Sequence, residues 1–519
     1  MKKNSTNERE VAHIIDQHIH QMRQNPSSKN SKDILIISTN SIQQEIYWER
    51  RLEETKKFIS KENSLIIAVY EDWQGGAGNG LGTLYAYLKA EKKALQTHGI
   101  HLRQEQKQGA SITVYHTAGK GTRIAPLSLS ESNNKSNIKL PELLPIKEGK
   151  EPITILETVI RQTSIYSTSR PGRLSVFWGD QIFIPSKPSK YTPKHHIDIL
   201  VKYLPKPDRL DWEKKKLDKY GLILTDINNN SRQVEKINYD TFLSLLPKNP
   251  QENSSQVGIS LGSFSLSFSM TQSLLDEFSK ELTLKEGSFN SDQDFWMPLT
   301  LDYPTFSLIL QKKGAHPDSL KKHYERMQNF KTLFCQKTPE SSLFSAVDVG
   351  NESYWCDYGL LSSYVENILL LTNLSHKAKS MRSFFGHIAP SPHQNTIDSD
   401  DTSLILNSSI AKGRIRNSVL VGVQAEHVDI SNAIVINTSA KKIKGTHFLA
   451  YCVKEDGFLH LQENSVRADT HLAKDQQHIK FFTTIDSNGS KDWKERLAKN
   501  PFSYEEFYKA NLREYTNIA

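Results

Sequence analysis

Cysteine is scarce in this chain: three in 519 residues, Cys335, Cys356 and Cys452, far apart and set among apolar or aromatic neighbours. That excludes a disulfide framework and any Cys-x-x-Cys metal site, and reads as buried thiols in a reducing compartment. No apolar run approaches the ~20 residues that a membrane-spanning helix needs. Met1-Lys2-Lys3-Asn4-Ser5 leads into polar sequence rather than the apolar stretch of a secretory signal. A soluble, cytoplasmic protein with no membrane span is expected. A dense arginine block is also missing. The net charge of +8 is spread along the chain, and even Lys214-Lys215-Lys216 is flanked by Asp211, Glu213 and Asp218. A diffuse excess suits polyanionic small molecules better than nucleic acid, for which no RRM, KH or zinc-finger pattern is present.

Length argues for two or three domains. Arg9 to Gln24 places Val11, Ile14, Ile15, Ile19 and Met22 on one helical stripe, so residues 1–32 read as a helical extension running into a Ser/Asn/Lys-rich loop. Residues 33–385 alternate strands (Ile34–Ile37, Leu65–Val69, Ile112–Tyr115, Leu174–Trp178, Leu222–Thr225) with helices such as Leu84–Gln96 and Ile155–Tyr166. This alternation predicts an α/β fold: a Rossmann-like, mostly parallel sheet flanked by helices, binding ligands at the carboxyl ends of its strands. Pro390 to Asp401 reads as a linker. Residues 400–519 differ in texture, with Ile/Val/Leu steps recurring around Asn-Ser pairs in Leu404–Ile410, Arg414–Leu420 and His427–Ile434. Offsets of roughly six residues predict a left-handed β-helix, although an ordinary β-sheet gives a similar texture. A helix over Asp492–Tyr515 closes the chain, and homo-oligomer formation through this domain is expected.

The strongest local signal is Ile112-Thr-Val-Tyr-His-Thr-Ala-Gly-Lys-Gly-Thr-Arg-Ile-Ala-Pro-Leu127. A β-branched strand runs straight into Ala118–Arg123, where Gly119 and Gly121 let the backbone approach an anion and Lys120 and Arg123 supply positive charge. A strand-to-loop glycine pair is often a mere tight turn. The two cations in the same loop favour phosphate.

Together with Lys139-Leu-Pro-Glu-Leu-Leu-Pro-Ile146, the loop resembles the sugar-1-phosphate nucleotidyltransferase superfamily, which has a Gly-Gly-x-Gly-Thr-Arg loop followed by Pro-Lys-Pro-Leu-Leu-Pro-Ile. Further resemblances follow in family order. Val176-Phe-Trp-Gly-Asp180 and Trp355-Cys-Asp-Tyr-Gly359 with Tyr364-Val-Glu-Asn367 resemble the segments that supply metal ligands. Tyr220–Asp226 and Val234-Glu-Lys236 resemble the sugar-contacting segment. The resemblance implies an NDP-sugar pyrophosphorylase joining a nucleoside triphosphate to a sugar 1-phosphate. It implies Arg123 and Lys139 as catalytic cations, Gly119, Lys120, Gly121 and Thr122 around phosphates, and Gly221, Glu235 and Lys236 on the sugar. Asp180 and Asp357 would hold Mg²⁺ or Mn²⁺, a hard cation that takes one or two carboxylates plus phosphate oxygens. Lys139 matches less well than Arg123, because a Ser/Asn-rich insertion (Ser130–Asn137) precedes it and Leu140 separates it from Pro141.

One departure concerns Gly75-Gly-Ala-Gly-Asn-Gly-Leu-Gly-Thr83, which precedes the signature loop instead of following it. This layout looks more like the fucose-1-phosphate guanylyltransferase branch and assigns Gly80, Gly82 and Thr83 to the nucleotide. The competing reading is a flexible turn with Thr83 capping a helix. Asp292 and Asp294 read as a solvated loop before a helix. Two other functions stay open: a catalytically silent regulatory or assembly relative, and an acyltransferase in the C-terminal domain using His427 or His447 as base.

Overall fold

A computed structural model describes residues 2–24, 33–226, 230–246, 256–387, 396–472 and 476–516. The loop expected over residues 25–32 and the front of the expected linker lie outside them.

The strands are β1 (Asp33–Thr39), β2 (Leu65–Tyr70), β3 (Ser111–His116), β4 (Lys139–Ile146), β5 (Gly149–Thr154), β6 (Leu174–Trp178), β7 (Gln181–Ile184), β8 (His195–Leu204), β9 (Gly221–Thr225), β10 (Ser231–Glu235), β11 (Gln256–Leu266), β12 (Ser342–Asp348) and β13 (Tyr354–Asp357). Nine of them form one sheet, with the path β10-β9-β11-β6-β3-β1-β2 and β8 pairing β11 and β12. From β2 to β6 the neighbours are parallel, whereas β11 runs antiparallel to β6, β8 and β9. The sheet is therefore parallel in one half and mixed in the other.

β1 shows why the sheet is covered on both faces. Successive side chains of a strand point to opposite sides. Ile34 and Ile36 accordingly enter one core with the helix Gly78–His98, while Leu35 and Ile37 enter another with the helices Ile42–Ile59 and Ile155–Thr163. The N-terminal helix Lys2–Gln24 seats Ile15, Ile19 and Met22 in that second core. Two expected boundaries moved. The helix expected from Leu84 begins at Gly78, so Thr83 lies inside it, and the C-terminal helix spans Tyr504–Thr516. Cys356 is buried as expected, but Cys335 is exposed; all three cysteines are free.

After residue 396 the chain forms two facing sheets of mostly parallel strands, of five and six strands. Neighbouring turns of this stack are offset by 15 residues, as in the bond from the Ala433 N–H to Ser418 Oγ, so the six-residue period is not what sets strand pairing. The Asn-Ser pairs are corners. Asn417, Asn432 and His447 occupy left-handed conformations at one, and Asn407, Asn437 and Cys452 at another, where asparagine is tolerated better than most residues. The stack shares the larger core: Val419, Val421, Ile434, Ile436, Leu449 and Tyr451 pack with Leu140, Leu144, Tyr364 and Ile368. Among the described residues, no helix is long and apolar enough to cross a membrane.

Candidate active site

A cavity of about 700 Å³ opens where β2, β1, β3 and β6 end, lined by Glu71, Asn40, His116, Gly119 and Trp178. Parallel strands all present their carboxyl ends to one rim, so residues distant in sequence meet there.

The signature loop forms the middle of that rim. Gly119 has φ 149° and Gly121 φ 63°, both in the region that favours glycine. At Gly121 space is limiting too: a Cβ would lie 2.8 Å from Lys135 Cβ and 2.9 Å from Ser128 Cβ. The Asn40 side chain clamps Gly119, donating to its carbonyl and accepting from its N–H, each at 2.9 Å. That amide is therefore engaged by Asn40. Lys120 lines the cavity, and Thr122 Oγ1 lies 2.5 Å from Ser490 Oγ in the C-terminal segment.

Asp180 and Asp357 come together. β13 pairs antiparallel with β7, and the Tyr358 N–H donates to the Asp180 carbonyl at 2.9 Å. A Cβ on Gly359 would lie 2.9 Å from Arg123 Nη2, 3.0 Å from Asp357 Oδ1 and 3.5 Å from Asp180 Oδ2. Three groups assigned separately from the sequence thus surround one glycine. The electrostatics divide the pair. Burial alone would raise the Asp180 carboxyl, but Lys135 and Arg123 hold it below the usual carboxylate range. Burial and the charge of Asp180 push Asp357 up. Two adjacent carboxylates suit a hard divalent cation. Among the described residues, no group of three or more His, Cys, Asp or Glu is placed to hold a metal.

Lys139 lies elsewhere. Its Nζ donates to Asn137 Oδ1 at 3.1 Å and sits 3.4 Å from Glu131 Oε2, both inside the protein. Tyr451 of the stack donates to Glu131 Oε1 at 2.5 Å and accepts from the Lys139 N–H at 2.9 Å. Burial is the largest influence on Lys139 and opposes its charge, but Glu131, Tyr47 and Glu157 together outweigh it and raise its pKa. Lys135 reaches the cavity instead, as Lys120 does, and its Nζ donates to Asp180 Oδ2 at 2.9 Å.

Gly80, Gly82 and Thr83 pack inside the first turns of the helix Gly78–His98. The Gly80 N–H donates to the Phe289 carbonyl at 2.9 Å, and a Cβ there would meet that oxygen and the Phe295 ring at 2.9 Å. A Cβ on Gly82 would fall 3.1 Å from Glu71 Oε2. Thr83 Oγ1 donates to the Asn79 carbonyl and meets His116 Nε2 at 2.8 Å. Gly75, Gly76 and Gly78 line the cavity instead.

Gly221, Glu235 and Lys236 form a second cluster. A Cβ on Gly221 would lie 2.6 Å from Glu235 Oε2, and Glu235 Oε1 pairs with Lys236 Nζ at 3.0 Å. Asp292 joins them. It sits half-buried in a π-helical turn, Ser291–Trp296, and burial together with the charge of Glu235 pushes its carboxyl up to about 8. The solvated loop expected there is not what forms. Tyr220 packs 5.4 Å from Trp355, which precedes Asp357 by two residues. A Cβ on Gly262 would lie 2.2 Å from Trp178 Nε1, so the backbone of β11 closes over the tryptophan that also lines the main cavity.

Asn40, Glu71, Lys135 and Tyr508 also line the cavity, and none of them belongs to a motif of the sequence. Asn40 and Glu71 directly follow strands, and the rule that ligands bind at strand ends picks them out. Lys135 sits inside the Ser/Asn-rich insertion, where nothing local marks it.

No family model matches the chain, and no curated protein matches it. Among solved structures, one from Bacillus anthracis, described as a glucose-1-phosphate thymidylyltransferase in complex with sucrose, aligns at 11% identity. The alignment covers 66% of this chain and 97% of that one, with a TM-score of 0.20.

Proposed function

We propose that this chain is a sugar-1-phosphate nucleotidyltransferase, forming an NDP-sugar and pyrophosphate from a nucleoside triphosphate and a sugar 1-phosphate. The observation that carries this reading is the meeting of Asp180, Asp357 and Arg123 around Gly359, with Lys135 linking Asp180 to the lining of a cavity where four parallel strands end. A phosphate oxygen of the sugar phosphate attacks the α-phosphorus in line. The bond to the bridging oxygen breaks, and pyrophosphate leaves with the electron pair. The attacking oxygen is already anionic, so no general base is needed. Arg123 and Lys135 neutralise charge on the transferring and leaving phosphates. Asp180 and Asp357 would hold Mg²⁺ or Mn²⁺, which supplies further charge stabilisation at the α-phosphate. Gly221, Glu235, Lys236 and Asp292 line the sugar side.

The C-terminal stack completes this reading as a β-helix-like domain whose role is structural, since its apolar face fills the core beside Lys139. The silent-relative reading has one observation in its favour: Lys135 already neutralises Asp180, as a bound cation otherwise would. The test is pyrophosphate release from the four common NTPs with a panel of sugar 1-phosphates, with and without Mg²⁺ or Mn²⁺. Metal-dependent release supports the enzyme. No release from a folded protein that still binds NTP favours the silent relative.

A further inference from the structure

Resting on that reading, we infer that the segment following the C-terminal stack positions the signature loop for catalysis, with Ser490 as the positioning residue for Arg123. Thr122 and Ser490 stand 368 residues apart in sequence, yet their hydroxyls meet at 2.5 Å. Beside them the two backbones touch. A Cβ on Gly489 would lie 2.3 Å from the Thr122 carbonyl oxygen and 3.0 Å from Ala125 Cβ, an approach that only glycine allows. Ser490 is itself held in a turn. Its N–H donates to Asn488 Oδ1 at 3.0 Å, and the Lys491 N–H donates to the Asn488 carbonyl at 2.8 Å.

The same segment backs the second cation. Asn133, two residues before Lys135, donates from Nδ2 to the Tyr508 carbonyl at 3.1 Å. Tyr508 and Leu512, on the last helix, also line the cavity. The loops that carry Arg123 and Lys135 therefore rest on one support.

Arg123 is exposed, so the backbone of the turn Thr122–Ile124 sets where its guanidinium lies beside Asp180 and Asp357. Gly121 fixes that turn on one side, packed against Lys135 and Ser128. Ser490 fixes it on the other. Stability does not need this second hold. Ala125 and Leu129 already share an apolar core with Phe481, Trp493, Tyr504 and Phe507, and one neutral hydrogen bond at the surface adds little to it. Direction is what the hydroxyl pair supplies: a shift of ~1 Å in a charge-stabilising group can cost ~10²-fold in rate.

The test is steady-state pyrophosphate release by the full chain, with each NTP and sugar 1-phosphate pair that the unmodified chain turns over. Ser490→Ala should lower kcat about tenfold at an unchanged melting temperature. KM for both substrates should stay within about twofold, because Arg123 acts on charge that develops in the transition state. Thr122→Val should do the same, and the double variant should be no slower than the slower single one, as expected of two halves of one contact. Ser490→Thr keeps the hydroxyl and should restore turnover. Wild-type kcat in Ser490→Ala, or a loss that Ser490→Thr does not restore, overturns the positioning role and leaves the transferase reading intact. Absence of turnover by the unmodified chain removes both.

Discussion

Lys135 Nζ donates to Asp180 Oδ2 at 2.9 Å, while Lys139, four residues on, points into the core beside Glu131. A 3-10 turn at Lys135–Asn137 followed by β4 separates the two ammonium groups. Exchanging each lysine for methionine tests this division. Lys135→Met should cut turnover by about 10- to 1,000-fold at unchanged melting temperature, because it removes a cation from the reacting phosphates. Steady-state pyrophosphate release measures it, and wild-type turnover would return Lys135 to a surface role.

Lys139→Met should act oppositely. It leaves Glu131 buried without its cation, which costs about 3 kcal/mol or more. Urea unfolding should show the loss. If the variant is as stable as the wild type yet inactive, Lys139 belongs to the active site after all.

Arg123→Ala and Asp180→Asn should both cut turnover sharply in folded protein. Arg123 has its guanidinium beside both aspartates, and losing such a charge-stabilising donor costs ~10²–10³ in rate. Asn keeps the shape of Asp180 but removes the charge that a hard cation needs. Titrating activity against Mg²⁺ separates the two, since only Asp180→Asn should raise the metal requirement.

Gly80→Ala should destabilise the protein by ~1–3 kcal/mol, the usual cost of overpacking, without changing which NTP binds. Its Cβ has nowhere to go but into the Phe289 carbonyl and the Phe295 ring. A stable Gly80→Ala protein with altered nucleotide preference would restore the nucleotide role assigned to this glycine from sequence.

Asp292 predicts a pH dependence. Its folded-state pKa is raised from the ordinary carboxylate value to about 8 by burial and by Glu235. The unfolded chain therefore releases this proton first, and the contribution to stability is lost as pH rises from about 4 to about 8. Asp292→Asn stays neutral throughout. The variant's melting temperature should gain on that of the wild type across this window and hold its lead above it. A constant difference from pH 4 to 9 would place the carboxyl in solvent.

The parallel half of the sheet was legible because period-2 burial on both faces leaves β-branched runs such as Ile34–Ile37 that few other structures need. Asp180, Asp357 and Arg123 stood out in the sequence because each ends or follows a short strand in a recognisable motif, and the structure brings the three together around Gly359. The fifteen-residue step of the C-terminal stack was not, because its corners repeat Asn-Ser pairs at two places per turn and suggest a shorter period. The packing of Gly80 against Phe289 was not legible for a related reason: a glycine that lets a ligand approach and one that lets another segment of the chain approach look alike in sequence.

By itself, then, the sequence determined the strand ends and the charges placed on them, since hydrophobic periodicity and the chemistry of each side chain are local properties. Tertiary structure decided which of those charges share a space. Lys135 and Lys139 differ only in the path of the chain between them, and the burial of Glu131 under Tyr451 of the distant stack draws Lys139 inward. The Coulomb attraction that holds an ion pair depends on distance and on exclusion of water, and both are set by packing between segments more than three hundred residues apart.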